Sequence, residues 1–292
     1  MIQARRSAGT IVERTRDPAG RRTVDEEAKR RPGWVTGLRW LGEFAAYAVI
    51  ALVVVALVRL FLVQPFVVPT GSMENTLMGE GTSATGKTTP GDLILAWKPG
   101  ALQRGEIVVF RDDLGWLNPL TTKAPAWKQT LAWLKVIAPQ DERYLVKRLI
   151  GLPGDHVTCC DAQGRMSVNG QPLDETSYLY SDDRGYQASP SDYTFDIVVP
   201  AGHIFVMGDH RNNSQDGRAW LCGGGSLGAP GSSPTPEIAF PSVESIQGRV
   251  FAILYPFDRW RTFTIPSTFA TVPDPSPDVG PTTWTCPLGT GG

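Results

Sequence analysis

The chain has 292 residues, a formal net charge of −1 and a hydrophobic fraction of 41%. A chain of this length can form one sizeable domain with appended segments. Its balanced charge gives no reason to expect nucleic acid as a partner, because nucleic-acid-binding domains usually carry a basic excess.

Residues 1–39 differ in composition from the rest of the chain. They hold ten arginines or lysines against five acidic residues and almost no large apolar side chains. Such a segment cannot bury enough apolar surface to offset the entropy lost on folding. We therefore expect a disordered basic tail over residues 1–39.

The next 24 residues, Trp40 to Val63, form an apolar stretch. Its centre, Phe44 to Val58, has no charged residue and is bracketed by Glu43 and Arg59. The stretch is long enough to cross a bilayer as one helix. A cleaved signal peptide is the main alternative, but the residues that end the stretch, "RLFLVQPFVV", contain no small-x-small cleavage site.

A buried core helix explains the stretch less well, since it is apolar on all sides and follows a charged segment. We therefore predict one retained anchor in the cell membrane, with the lipid bilayer as a partner. Because basic residues favour the cytoplasmic side, the tail should be cytoplasmic and everything after Val63 extracytoplasmic.

The body of the chain has short apolar segments, rich in branched residues and separated by Gly, Pro, Asp and Asn. This pattern predicts a mainly β domain with an antiparallel sheet rather than alternating β-α units. Asn169-Gly170 predicts a hairpin turn, because both residue types accept positive φ. The domain should cover residues 64–265, with strands at residues 92–98, 105–111, 143–150, 165–170, 203–208 and 248–257.

Two insertions and a tail interrupt or follow this pattern. Residues 114–140 contain a predicted helix from Lys128 to Ile137, with Leu131, Leu134 and Trp127 toward one face. Its tryptophans suit the membrane interface and ordinary packing on the sheet equally well. Residues 221–240 are a Gly/Ser/Pro-rich loop, and residues 266–292 are a Pro/Gly-rich tail without a second membrane span.

The four cysteines are at positions 159, 160, 222 and 286. Adjacent cysteines rarely bond to each other, so in an oxidising compartment Cys159 and Cys160 should each find a distant partner. The sequence does not choose among the pairings, and free buried thiols remain an alternative. No C-x-x-C spacing is present, so we expect no metal site.

The stretch "GTSATGKT", residues 81–88, matches the phosphate-loop pattern G-x-x-x-x-G-K-[ST]. A phosphate loop needs a buried strand before it and a helix after it. Here Pro90-Gly91 would stop a helix almost at once. We therefore expect a surface loop, with no nucleotide and no other cofactor.

A nucleophile candidate lies upstream in "PTGSMENTL", where Gly71 allows a sharp turn just before Ser72. On this stretch alone, an ordinary turn serine is the simpler interpretation. The histidines at positions 156, 203 and 210 all remain candidate bases. Lys147 is another, because strand alternation places it between Leu145 and Leu149 on one face, where lost hydration would lower its pKa. On this stretch alone, a surface lysine that keeps its ammonium group in water is the simpler interpretation.

Four stretches now suggest a family: "PTGSMENTL", "GDLILAWK", "RYLVKRLIGLPGD" and "GDHRNNSQDGR", in this order after an apolar anchor. They resemble the conserved boxes of bacterial type I signal peptidases, which are membrane-bound serine endopeptidases with a serine–lysine dyad. The boxes and the strands between them cover most of residues 64–260. Four boxes in order are far more specific than any one alone, and they favour functional roles for Ser72 and Lys147.

The resemblance implies a role for each matching position. Ser72 is the nucleophile and Lys147 the general base, with an oxyanion hole formed by the Ser72 backbone N–H and the Thr70 hydroxyl. The family serine that orients the lysine corresponds to Ser214. Charged residues that support the site are Asp209, Arg211, Asp216, Arg218 and Arg148. Pocket residues are Val68 and Val146 for the third residue before the cut, and Met73, Leu77 and Leu145 for the residue just before it.

The sequence departs from the family pattern at a few positions. Asn75 replaces a common proline, His210 a common asparagine and Gly217 a small polar residue. The resemblance implies cleavage of signal peptides from exported pre-proteins after Ala-x-Ala motifs, with the export channel as a further candidate partner. Two alternatives are an inactive export-associated binding protein of the same fold and a self-cleaving Ser/Lys protease.

Overall fold

The structure is a computed structural model that describes residues 33–82, 88–98, 100–117, 126, 143–192, 194–221 and 238–275. Helix α1 spans Gly33–Phe61. Within it, Trp40–Val58 has a mean hydropathy of 2.4 and no buried residue, so it is long and apolar enough to cross a membrane. This finding is consistent with the predicted anchor.

The helix begins seven residues before the predicted start at Trp40. Residues 33–39, which were expected to belong to the disordered tail, are helical. Extending an existing helix is much easier than nucleating one, so the apolar run can carry polar residues with it. Residues 1–32 lie outside the described residues.

The body of the chain is a β domain, as predicted, and every strand pair in its described part is antiparallel. The strands are β1 Val63–Val67, β2 Gly81–Thr82, β3 Thr88–Thr89, β4 Leu93–Trp97, β5 Ile107–Arg111, β6 Tyr144–Gly151, β7 His156–Cys159, β8 Ser167–Val168, β9 Gln171–Pro172, β10 Phe195–Val198, β11 Phe205–Met207, β12 Ile246–Tyr255 and β13 Arg261–Thr262. A short helix, α2 Gly217–Leu221, follows β11.

The strands form a large sheet, a small sheet and a hairpin. The large sheet has the order β1-β4-β12-β5-β6-β11, with β13 paired to β12. The small sheet has the order β10-β7-β8-β9, and β2 pairs with β3 alone. Strand β6 lies between β5 and β11, and its residues after Tyr144 are all buried. A side chain on this strand is therefore shielded from water.

Both turn predictions can be compared with the structure. Asn169 and Gly170 have φ values of 50° and 77° and connect β8 to β9, so the predicted hairpin is confirmed. The ends of "GTSATGKT" pair as β2 and β3, and the chain then runs into strand β4. The helix that a phosphate loop requires does not follow.

The predicted C-terminal tail contributes to the domain in its first ten residues, which corrects its predicted start at residue 266. Ser267–Thr271 forms a 3-10 helix, and Phe269 is buried in a core shared by both sheets. Asn169 also donates from Nδ2 to the Pro273 carbonyl, at 2.8 Å. One large apolar side chain and a hydrogen bond can fix a Pro-rich segment that the composition alone assigns to a tail. Residues 276–292 lie outside the described residues.

The two insertions meet where the structure describes their ends. Trp116 is buried, stacks with Trp220 and donates its indole N–H to the Ile238 carbonyl, at 2.7 Å. Ala239 and Phe240 are also buried, so the second predicted loop ends at or before residue 238 rather than at 240. The predicted helix Lys128–Ile137 and residues 222–237 lie outside the described residues.

The structure contains a disulfide between Cys159 and Cys160, which contradicts the expected distant partners. Direct adjacency keeps the two sulfurs close without any approach by a second segment. Cys222 and Cys286 lie outside the described residues.

Asp155 connects the end of β6 to the hairpin of the small sheet. It is fully buried and accepts two hydrogen bonds from Arg104, at 2.6 and 2.7 Å. It also accepts from the Leu152 amide, at 2.7 Å, and from Asn169 Nδ2, at 2.9 Å. All these donors would lose their acceptor together if the carboxylate were removed.

We predict that Asp155→Ala lowers the free energy of unfolding by about 3–5 kcal/mol, because breaking a buried ion pair leaves its partner uncompensated. Denaturant unfolding of the full chain in detergent measures the change. Asp113→Ala is the control, since it removes an exposed pair with Arg111 and should cost no more than about 1 kcal/mol. Equal losses in the two variants would contradict the role assigned to Asp155.

Candidate active site

Ser72 lies on a 3-10 turn, Gly71–Met73, that follows β1. Thr70 precedes it in extended conformation, and the Glu74 amide closes the turn on the Gly71 carbonyl, at 3.1 Å. The Val68 amide donates to the Asp92 carbonyl, at 2.9 Å, so the chain entering the turn is fixed beside β4. These hydrogen bonds fix the backbone position from which the Ser72 side chain projects.

The loop after β11 lies directly against this turn. The His210 amide donates to the Ser72 carbonyl, at 3.1 Å. A Cβ atom on Gly208 would lie 2.4 Å from the Ser72 carbonyl oxygen and 2.3 Å from Ser214 Oγ. Only glycine permits this approach, which brings together two segments that are far apart in sequence, the Ser72 turn and the loop after β11.

Lys147 reaches Ser72 from β6. Its Nζ donates to Ser72 Oγ at 2.5 Å, across 75 positions of sequence. Lys147 is 2% exposed and Ser72 is 7% exposed, so both groups are shielded from bulk water. The structure therefore brings together the two predicted dyad residues within hydrogen-bonding distance.

Burial lowers the pKa of the Lys147 amine to about 8, because desolvation disfavours the ammonium form. Asp216 acts in the opposite direction and raises the pKa, while Arg218 lowers it again. About a tenth of the amine is consequently neutral at about pH 7, against well under about a thousandth for an ordinary lysine. A neutral amine in contact with a hydroxyl can accept its proton.

The histidines contact other groups in the described part of the chain. His156 pairs with Asp196 at 2.5 Å, and His203 contacts the Ala201 carbonyl at 2.9 Å. The imidazole of His210 contacts Glu74 at 2.8 Å, and only the backbone of His210 bonds to Ser72. Lys147 is therefore the base candidate that the geometry supports.

Thr70, the second expected oxyanion-hole residue, has its hydroxyl 3.4 Å from Ser72 Oγ. This position allows a donor near the atom that would attack. Ser214 donates its hydroxyl hydrogen to Asp216 at 2.7 Å, so the Ser214 oxygen is left to accept from another group. The roles of both residues stay predictions.

Asp209 and Asp216, two of the expected charged residues, are completely buried and fully bonded. Asp209 accepts from Arg148 at 2.6 and 2.7 Å, and from the Thr76 hydroxyl at 2.6 Å. Asp216 accepts twice from Arg218 at 2.8 Å, and from the Gly208 amide at 3.0 Å. Burial raises the pKa of Asp216, but Arg218 prevails and holds it below its usual value.

The remaining expected charge, Arg211, pairs with Glu175, which sequence reasoning missed. Both side chains are 1% exposed. The missed residue lies 36 positions before its partner, outside the four boxes, and nothing local distinguishes it from a surface glutamate. Gly217 starts α2 where a Cβ would lie 2.7 Å from the Ala239 carbonyl oxygen, so close packing accounts for this departure from the family pattern.

A cleft of about 230 Å³ opens beside Ser72 and Lys147. Four of the five expected pocket residues line it: Val68, Met73, Leu145 and Val146. Leu77 is not among the lining residues and is fully buried in the core beneath the turn. The lining also includes residues that sequence reasoning missed: Leu117, Tyr144, Asn213 and Gln215.

The chain matches one protein family and several named relatives. Residues 41–255 match the family described as "Signal peptidase, peptidase S26". The chain is 34% identical over 238 residues to "Signal peptidase I" of Mycobacterium tuberculosis, covering 75% of this chain and 74% of the relative. It is 32% identical over 183 residues to "Signal peptidase I S" of Bacillus subtilis, covering 61% and 79% respectively.

A solved signal peptidase I from Enterococcus faecalis shares 21% sequence identity and matches 51% of this chain and 97% of its own. Its TM-score is only 0.25, so the assignment depends on the sequence matches.

We predict that Lys147→Met stabilises the protein by roughly 3 kcal/mol near pH 7. The folded state depresses the pKa of Lys147 to about 8, so the unfolded chain binds more protons between that value and the ordinary lysine pKa. The free energy of unfolding of the wild type should therefore increase as pH rises through this window. The difference in stability between Lys147→Met and the wild type should become smaller.

Denaturant unfolding at about pH 7 and about pH 9.5 measures this change. Lys98→Met provides the control, because Lys98 contacts Gln64 away from the cleft. If Lys147→Met increased the free energy of unfolding by the same amount at both pH values, the Lys147 amine would not be desolvated in the folded protein.

Proposed function

The chain belongs to the peptidase S26 family of signal peptidases and is a serine endopeptidase that acts on signal peptides, and we propose that Ser72 is its nucleophile and Lys147 its general base. The observation that carries this proposal is the 2.5 Å contact between Lys147 Nζ and Ser72 Oγ in a water-excluded site. Both the proximity and the lowered pKa of the amine are needed for a proton to move between them.

The reaction follows from these positions. Neutral Lys147 takes the proton from Ser72 Oγ as the oxygen attacks the scissile carbonyl carbon. The Ser72 amide and the Thr70 hydroxyl stabilise the resulting oxyanion. The Lys147 ammonium then protonates the leaving amine, and the peptide C–N bond breaks to leave an acyl ester on Ser72. Lys147 next takes a proton from a water molecule, whose oxygen attacks the ester carbonyl carbon. The ester C–O bond then breaks, and the Lys147 ammonium returns the proton to Ser72 Oγ, which restores the starting pair.

The cleft supports a preference for small residues at the cut. Its volume, about 230 Å³, is limited by branched or long side chains at Val68, Met73, Leu145 and Val146. Side chains of alanine size before the scissile bond fit such walls, as an Ala-x-Ala motif supplies. The substrate backbone would bind in extended form as an added strand, which turns alternate side chains toward the same wall.

Charge pairing supports the role of Lys147. Asp216 favours the ammonium form, but Arg218 is bonded to Asp216 and opposes it. The balance leaves desolvation as the largest influence on the amine. We assign Asp216, Arg218 and Ser214 to this adjustment, and Asp209 with Arg148 to the support of β6 beside the loop after β11.

The anchor explains how enzyme and substrate meet. Only eight residues lie between Val63 and Ser72, so a membrane-spanning α1 would keep the catalytic serine near the outer membrane surface. A pre-protein leaving the export channel carries its own apolar segment in the same bilayer. Holding both in one plane raises their effective concentration. We accordingly propose a single-pass plasma-membrane protein with a cytoplasmic N-terminus and an extracytoplasmic β domain.

We predict that Ser72→Ala lowers kcat for an Ala-x-Ala signal-peptide substrate at least about 1,000-fold, because the acyl ester cannot form. Detergent-solubilised full chain and a fluorogenic peptide give the measurement. Ser189→Ala, which changes an exposed serine bonded to Asp192, should leave kcat unchanged. Wild-type rates in Ser72→Ala would remove Ser72 from the mechanism, and an inactive wild type with this peptide would favour a binding protein.

We further predict that kcat/KM rises with pH and reaches half its maximum near pH 8, where Lys147 loses its proton. The sign follows from the role of the amine: only the neutral form accepts the serine proton, and its fraction grows as pH increases. Rates under conditions where chemistry limits turnover give the profile. A flat profile between about pH 7 and about pH 10 would be incompatible with a desolvated lysine base.

A further inference from the structure

Five residues outside the cleft form a connected cluster behind the Ser72 turn: Glu74, Asn75, Tyr180, Ser181 and His210. We call them the turn latch. None of them lines the cleft in the described part of the chain. Two of them, Asn75 and His210, are positions where the sequence departs from the family pattern.

His210 is the centre of the latch. Its ring stacks on Tyr180, with centroids 3.7 Å apart and planes 11° from parallel. Its Nδ1 lies 2.8 Å from a carboxylate oxygen of Glu74, and its side chain is 12% exposed. The imidazole is therefore fixed on one side by a ring face and on another by a carboxylate, in a largely dry position.

Asn75 reaches the same segment from the other side. Its Nδ2 donates to the Ser181 carbonyl at 2.8 Å and approaches the Ser181 hydroxyl at 3.3 Å. A proline at position 75 could make neither bond. The two departures from the family pattern thus converge on adjacent residues, Tyr180 and Ser181.

The segment that receives these contacts is itself well anchored. The Tyr180 amide donates to the Asp209 carbonyl at 3.0 Å, and the Tyr180 carbonyl accepts from Ala188 at 2.8 Å. The carboxylate of Asp209 is meanwhile bonded to Arg148 on β6, next to Lys147. The latch therefore connects the Ser72 turn, through Tyr180 and Asp209, to the strand that carries Lys147.

From these contacts we propose that Glu74 and His210 are positioning residues for Ser72. The His210 amide holds the Ser72 carbonyl, and the His210 side chain holds Glu74, two residues further along the turn. Glu74 also closes the turn through its amide. The turn is thus hydrogen-bonded both before the nucleophile, at the Gly71 carbonyl, and after it, at the Ser72 carbonyl. The proposal rests on the proposed function, because it assumes that Ser72 Oγ must meet Lys147 in register.

The first test uses deuterium exchange and does not depend on activity. In the full chain in detergent, His210→Ala should speed exchange of the Glu74 and Leu77 amides at least about tenfold, because both amides are hydrogen-bonded within the turn. His210→Asn should largely restore protection, since its amide can donate from nearly the position of Nδ1. Unchanged exchange in His210→Ala would overturn the proposal.

The second test uses kinetics with the Ala-x-Ala peptide. His210→Ala should lower kcat by about 10- to 100-fold, because small misplacement of reacting groups is costly, while KM changes little. His210→Asn should recover most of the loss. His156→Ala is the matched control, since it removes a histidine–carboxylate contact with Asp196 in the small sheet. Wild-type kcat in His210→Ala would refute the role assigned to His210.

A double-variant cycle separates positioning from a general loss of folded protein. If Glu74 and His210 act as one unit, Glu74→Ala with His210→Ala should lose no more kcat than the worse single variant. Losses that multiply would contradict the pairing. Should His210→Ala not fold, Glu74→Ala and His210→Leu provide the same cycle, because leucine removes the contact with Glu74 and keeps most of the side-chain volume. An inactive wild type would refute the proposed function. The exchange experiment would still test whether His210 holds the Ser72 turn, because it does not depend on activity.

Discussion

The burial of the Lys147 amine is the constraint on which the site depends. In water the amine would remain protonated at neutral pH and could not accept the Ser72 proton. Strand β6 removes this hydration because it lies between two neighbouring strands and buries its side chains on both faces. A position at the edge of the sheet would leave the amine hydrated. The central position of β6 in the sheet is therefore required for the lowered pKa of Lys147.

The buried charges around the site are matched one by one. Asp209 pairs with Arg148, Asp216 with Arg218 and Glu175 with Arg211. Such pairs usually contribute little net stability, because desolvation offsets the attraction between the charges. Here they have another consequence. An unmatched carboxylate near Lys147 would favour its ammonium form, whereas a carboxylate bonded to arginine has a weaker effect, so the amine can remain partly neutral.

The sequence predicts features that have a local or repeated signature. Strand periodicity, the Asn169-Gly170 turn and the four boxes identified the β class, the hairpin and the two residues now found 2.5 Å apart. Contacts between distant positions had no such signature. Glu74 and His210 are 136 positions apart, and Glu175 looks like any polar residue until Arg211 packs on it. Leu77 was misplaced because alignment with a pocket position does not reveal which way a side chain points.

The distance between Ser72 and Lys147 depends on three segments, since neither residue lies on the same element as the other. The Ser72 turn follows β1, which is fixed to β4, and a Cβ on Gly91 would lie 1.8 Å from the Val68 carbonyl oxygen. The loop after β11 contacts the turn through Gly208 and His210, and β11 also pairs with β6. Strand β11 and the loop that follows it thus contact both the Ser72 turn and the strand that carries Lys147. Small changes in this loop should alter the dyad more than equal changes in the cleft wall, because they move the nucleophile relative to its base.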